Sequence, residues 1–145
     1  MTLTLTWSLT WSLTATATAT IGATTPKSSR YGGMLSFQRL DVYQCSVAFA
    51  ALAVEIATTI PRRHGALSDP LRRPGFSVPL NIAEAAGRAS EADAARHYAI
   101  ARGSAMECAA VLDVVRCLGV LADDRYHHGM ELLARTVAML TKLCR

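Results

Sequence analysis

Residues 77–90 read Ser77-Val78-Pro79-Leu80-Asn81-Ile82-Ala83-Glu84-Ala85-Ala86-Gly87-Arg88-Ala89-Ser90, and this stretch decides the fold. A proline opens a helical pattern and a glycine stands near its end, the order in which helices accept the two residues. Val78 and Ile82 are four apart on one apolar face. Glu84 and Arg88 are also four apart, with the carboxylate nearer the N-terminus, the favourable order for an ion pair along a helix. Asn81 and Glu84, three apart, share a face of the same turn. Ser90-Glu91-Ala92-Asp93 follows as an N-cap with an acid at the third helical position, close to a capping box. The stretch reads as a short helix, a tight corner containing Gly87, and a capped long helix.

The rest of the chain extends the capped long helix and adds two more. Downstream, Tyr98, Ala101, Ala105, Cys108, Leu112 and Val115 keep a 3-4-3-4-3 spacing, so one helix is expected from about Glu91 to Leu118. Gly103-Ser104-Ala105 beside that seam is expected to allow close approach of a neighbouring helix, and Gly119 stands where a C-terminal cap belongs. The next helix starts near Asp123-Asp124, acids suited to a first turn, with Met130, Leu133, Val137, Leu140 and Cys144 as its seam. Upstream, Cys45, Phe49, Leu52 and Ile56 form one apolar stripe between Leu40 and Ile60, stopped by Pro61. That helix carries only Asp41 and Glu55 as charges, which points to cover on more than one face and to burial in an oligomer. The fold class is all-α: an antiparallel up-down four-helix bundle.

Residues 61–76 look like a basic, proline-punctuated connection. Arg62, Arg63, Arg72 and Arg73 lie in it beside His64, a candidate phosphate-contacting patch or a solvated loop. Pro70, Pro74 and Gly75 predict that the second helix starts late or is broken, since a proline inside a helix costs about 3 kcal/mol.

The chain has 145 residues, 51% of them hydrophobic and 18% charged, enough to bury a core and unlike a disordered composition. Residues 1–33 differ from the rest: Thr-Leu and Ala-Thr alternate, with Trp7-Ser8-Leu9-Thr10 nearly repeated as Trp11-Ser12-Leu13-Thr14. We read 1–33 as a disordered low-complexity extension or a mis-assigned start, with Met34 opening a 34–145 bundle domain; a genuine flexible tail is the alternative. A secretory signal would need basic residues ahead of its apolar core, and no Lys or Arg precedes Lys27. The scattered Cys45, Cys108, Cys117 and Cys144 show neither disulfide nor zinc spacing and read as small apolar residues in a reducing, cytoplasmic compartment. No apolar run approaches the ~18 residues of a membrane helix, so no membrane partner is expected.

Chemistry is sparse. Asp124-x-x-His127 is the one carboxylate–histidine spacing of the kind di-metal bundles use, and it sits at a helix start, so no metal or other cofactor is expected. The nucleotide, acyl-transfer and zinc-hydrolase signatures are absent. Asn81, Glu84 and Arg88 read as a satisfied polar network rather than an active site, because a buried carboxylate needs partners. The expectation is a protein that is not an enzyme.

Three further stretches carry a resemblance. Phe37-Gln38-Arg39-Leu40-Asp41-Val42-Tyr43-Gln44 is similar to "F-x-x-L-x-V-[WY]-Q". Leu71-Arg72-Arg73 and the stretch from Ser77 to Arg88 are similar to a continuous "L-R-R" and "S-I-P-x-N-I-A-E-G-x-G-R". Tyr98 to Glu107 is similar to "I-A-x-G-S-x-x-E". Together they resemble the bacterial four-helix bundle family that includes proteins encoded in intervening sequences of 23S rRNA genes and the accessory protein of diversity-generating retroelements. The resemblance implies a homo-oligomer, a pentamer, with a basic surface that in the retroelement member engages nucleic acid and a reverse transcriptase. Carried over by position, Arg72 and Arg73 are the nucleic-acid candidates, with Arg62 and Arg63 beside them. Pro79, Asn81, Glu84, Gly87, Arg88, Gly103, Ser104 and Glu107 are the structural motif.

Lys27 and Arg30 precede Met34, so the bundle region carries 13 Lys and Arg against 11 Asp and Glu, a net of +2. That is low for a nucleic-acid-binding member. Two functions follow as expectations: a non-catalytic oligomeric adaptor binding RNA or DNA, with or without a protein partner such as a reverse transcriptase, or a self-assembling bundle with no nucleic-acid role.

Overall fold

The computed structural model describes residues 35–144, so the expectation for 1–33 lies outside the described residues. A 3-10 turn, Ser36–Arg39, leads into α1 (Asp41–Thr59); a second 3-10 segment, Arg62–Leu67, leads into α2 (Ser68–Ala86). α3 spans Glu91–Cys117 and α4 spans Asp123–Leu143. Each helix packs on its neighbours in sequence and α1 closes on α4. With such short links, that makes an up-down, antiparallel four-helix bundle.

The corners follow from local chemistry. Ser90 Oγ accepts the backbone N–H of Asp93 at 3.5 Å and caps α3. Gly119 takes a positive φ of 67°, and Val120 N–H reaches Val115 O while Gly119 N–H reaches Arg116 O, a Schellman stop. Pro61 ends α1 as expected.

The second helix differs from expectation. The region read as a proline-broken connection is a 3-10 segment, non-helical only at His64, running straight into a continuous 19-residue α2 with Pro74 and Pro79 inside it. Pro70 falls in the first turn, where an N–H has no helical acceptor, so it costs little. Pro74 and Gly75 are instead a packing device. Both are buried, and a Cβ on Gly75 would meet Ala53 Cβ at 3.3 Å, so the glycine lets α2 lie close on α1. Burial of Leu71, Val78 and Ile82 offsets the hydrogen bonds the prolines forgo.

Phe49, Ile56, Leu71, Ile82, Leu112 and Leu140 centre the core. The α3 seam is as read, with Tyr98 only half-buried. The α4 seam is rotated: Gly129, Leu132, Leu133, Thr136 and Leu140 are buried, whereas Met130, Val137 and Cys144 are half-exposed. The rotation centres on Gly129, where an added Cβ would stand 2.9 Å from Leu112 Cδ1. Of the Gly103-Ser104-Ala105 stretch, Ala105 is buried and Ser104 meets Ser77 of α2, as a close approach requires, whereas Gly103 is exposed with open space around it. Of the cysteines, Cys45 and Cys108 are buried and Cys117 is exposed. α1, contrary to the reading of its composition, is by length and mean hydropathy apolar enough to cross a membrane; its buried face, including Val42, Phe49, Ala53 and Ile56, packs into the bundle.

Candidate functional site

Ser77, Asn81, Glu84 and Arg88 recur at spacings of four, three and four, so α2 presents them as one polar stripe. α3 answers with His97 and Ser104, two turns apart. Ser104 donates its hydroxyl to Ser77 Oγ at 3.0 Å. The Asn81 amide donates to the Ser77 carbonyl at 2.9 Å and to Ser77 Oγ at 3.1 Å. Asn81 Oδ1 lies 3.2 Å from His97 Nδ1, which places the proton on that nitrogen for the neutral ring. His97 Nε2 stands 3.9 Å from Glu84 Oε1, and Glu84 pairs with Arg88 as the spacing predicted. The result is a polar ladder along the α2–α3 seam, with every hydroxyl and amide engaged by a neighbour.

At the N-terminal half of α2 the ladder opens into a cleft of ≈ 490 Å³ lined by Asp69, Pro70, Arg73, Pro74, Ser77, Ser104 and Glu107. Arg73 therefore faces a wall that carries two carboxylates. Among the described residues no three His, Cys, Asp or Glu side chains gather as metal ligands would. The cleft holds no nucleophile paired with a base; its two hydroxyls bond to one another.

The four candidate arginines are all exposed, and none forms an ion pair among the described residues. They do not converge. Arg62 and Arg63 lie in the 3-10 segment, where Arg63 Nε donates to His64 Nε2 at 3.1 Å. Arg72 and Arg73 are successive on α2 and so project about 100° apart. Arg73 lines the cleft, and Arg72, one turn before Phe76, lies on the side of α2 that faces α1.

The remaining motif residues divide. Glu107 joins the cleft and Pro79 lines an apolar recess of ≈ 550 Å³ between α1 and α2, with Phe37, Val47, Phe76 and Leu80. Gly87 caps α2 at φ −91°, a backbone any residue adopts, and Gly103 is exposed. A second apolar recess, ≈ 420 Å³, lies between α3 and α4 around Met106 and Met130. Reading the sequence missed Ser77, His97 and Asp69 as site residues. The i,i+4 relation of Ser77 to Asn81 was a usable signal; His97 needs the α2–α3 corner to bring it across.

Burial and, after it, the Glu107 charge push the Cys108 thiol up to about 12, so this buried group is no nucleophile. At the α3–α4 corner the Tyr126 hydroxyl donates to Asp113 Oδ1 at 2.7 Å, which holds the phenol above its ordinary value. Arg116 reaches Asp123 at 3.1 Å and stacks 4.3 Å over the Tyr126 ring.

The model of the 23S rRNA-intervening sequence protein family matches residues 38–142. Among solved structures, a crystal structure from Bacteroides thetaiotaomicron, of a protein of unknown function from the S23 ribosomal protein family, superposes with a TM-score of 0.68 at 22% identity. The match covers 72% of this chain and 98% of that one, a likeness of fold. No curated protein matches the chain.

Proposed function

The chain belongs to the 23S rRNA-intervening sequence protein family, and on that premise we propose that it is a non-catalytic, self-associating scaffold that holds RNA through its exposed arginines. The observation that carries the reading is the set Arg62, Arg63, Arg72 and Arg73. All four are solvent-exposed, close in sequence, and no carboxylate is spent on them as an ion-pair partner among the described residues. Unpaired guanidinium groups suit bidentate contact with phosphate and carry no base preference by themselves. The Asp69 and Glu107 carboxylates beside Arg73 weaken its share, so the binding is modest, with a salt slope set by the few arginines that remain.

A second reading has its own support. Leu80, Met106, Phe76 and Val47 are large apolar side chains left in solvent on a bundle whose core is complete without them. Such faces favour a bundle that assembles with protein rather than nucleic acid. Light scattering of the full chain, with and without a generic single-stranded RNA at low and moderate salt, separates the two. The scaffold reading expects a particle larger than one chain that gains mass with RNA at low salt only. An assembly whose mass ignores RNA at both salts overturns the RNA half and leaves the second reading.

A further inference from the structure

Asp69, Arg73 and Ser77 follow one another at steps of four, so they stand in a row on one face of α2. Ser104 and Glu107, one turn apart on α3, line the same cleft from the other side. Asp69 and Arg73 repeat the spacing and the order of Glu84 and Arg88 on the same helix. Glu84 and Arg88 close into an ion pair, whereas Asp69 and Arg73 stay apart. Glu107 likewise pairs with no cation among the described residues. One guanidinium and two carboxylates therefore face a single cleft of ≈ 490 Å³, none of them neutralised by direct contact.

The hydroxyls on the cleft wall are also incompletely used. Ser77 Oγ accepts from the Asn81 amide at 3.1 Å and shares one proton with Ser104 Oγ at 3.0 Å. The second hydroxyl proton of the pair has no acceptor among the described residues. A donor is thus left over one turn beyond Arg73 on the same face of α2.

This lining selects among ligands. Inorganic phosphate would bring its charge against two carboxylates. A bare divalent cation would sit beside the Arg73 guanidinium, and no three His, Cys, Asp or Glu side chains gather to hold one among the described residues. A diamine would leave Arg73 unmatched. A molecule with one anionic and two cationic groups satisfies all three charges, and the cleft lies within the range of about 300–1,000 Å³ usual for small ligands.

We propose that the cleft binds a free basic α-amino acid, of the lysine or arginine kind. The ligand's carboxylate lies on Arg73, whose planar guanidinium donates two parallel hydrogen bonds, and takes the unspent serine proton. Its α-ammonium lies on Asp69, because the two charges of an α-amino acid are neighbours as Arg73 and Asp69 are. Its side-chain cation reaches across to Glu107 on α3. The inference goes beyond the RNA reading and does not rest on it; Arg62, Arg63 and Arg72 take no part.

The test is calorimetric titration of the full chain, without RNA, by L-lysine, L-arginine and three lysine analogues that each lack one charge. Cadaverine lacks the carboxylate, Nα-acetyl-L-lysine the α-ammonium and L-norleucine the side-chain cation. L-Lysine or L-arginine is expected to bind with a Kd of about 1 mM or tighter, and each analogue about tenfold more weakly than L-lysine. Arg73→Gln should bind L-lysine and cadaverine alike, and Glu107→Gln should bind L-lysine and L-norleucine alike. Both substitutions are at exposed positions and should leave the helical circular dichroism unchanged. No saturable binding of either basic amino acid overturns the site. Analogues that bind as tightly as L-lysine, or variants that keep the parent's preference, overturn the assigned contacts.

Discussion

The Ser104 hydroxyl donates to Ser77 Oγ at 3.0 Å across the α2–α3 seam, and the Asn81 amide donates to the same oxygen at 3.1 Å. Ser77 is thus the junction at which the polar stripe of one helix is fastened to the other. Its position in α2 depends on the helix running unbroken through Pro74 and Pro79.

Removing members of this junction is expected to cost stability in a coupled way. Asn81→Ala removes the acceptor of His97 Nδ1 and one of the two donors to Ser77 Oγ, and should cost about 1–3 kcal/mol. In a double-mutant cycle, Ser77→Ala and Ser104→Ala should show a coupling of about 0.5–1.5 kcal/mol. Urea unfolding of the four proteins measures both; strictly additive losses would mean that the hydroxyls do not act on one another.

Two glycines on packed helices should respond with opposite sign. A Cβ at Gly129 already stands 2.9 Å from Leu112 Cδ1, so Gly129→Val overpacks the core and should destabilise by about 1–3 kcal/mol. Gly103 has open space, so Gly103→Ala should stabilise α3 by about 1 kcal/mol through helix propensity alone. Thermal melts that move the same way for both would contradict the packing described.

Thiol reactivity should sort by burial. Cys117 is exposed and should react with a disulfide reagent at pH 8 without unfolding, whereas Cys108 should react only as the protein opens. Because the folded Cys108 thiol is held at about 12 against an ordinary 9.0, the unfolded chain loses this proton first as pH rises. Stability should therefore fall between pH 9 and 12, with a slope near 1.4 kcal/mol per pH unit from this group. Tyr98, raised by burial, tilts the curve the same way. Cys108→Ala should flatten this alkaline decline, a comparison made by denaturant titration across that range.

Much of the fold was legible because short-range rules governed it. Ser90, Gly119 and Pro61 act within one turn of themselves, and the α3 seam from Ala101 to Val115 is a long, uninterrupted period. The misreadings came where tertiary packing overrode local preference. Pro74-Gly75 looks like a breaker until Ala53 is known to lie 3.3 Å from a Cβ at Gly75. The α4 register turned on Gly129, whose missing side chain is what admits Leu112. In the site, the Glu84–Arg88 pair follows from i,i+4 spacing, but His97 and Ser104 join it only through the corner at 87–90. The arginines were plain in the sequence. Their divergence was not, because the continuity of α2 sets Arg72 and Arg73 about 100° apart.

The central claim is that exposed arginines hold RNA through phosphate. It is tested most directly by the salt dependence of affinity for a labelled single-stranded RNA, measured on the full chain and on Arg62→Ala with Arg63→Ala. Each single-strand phosphate contact contributes about 0.7 to the slope of log affinity against log salt, so the double variant should bind more weakly to every RNA sequence and lose about 1.4 from that slope. A parent slope near zero, or a double variant whose slope and affinity match the parent, would contradict the account.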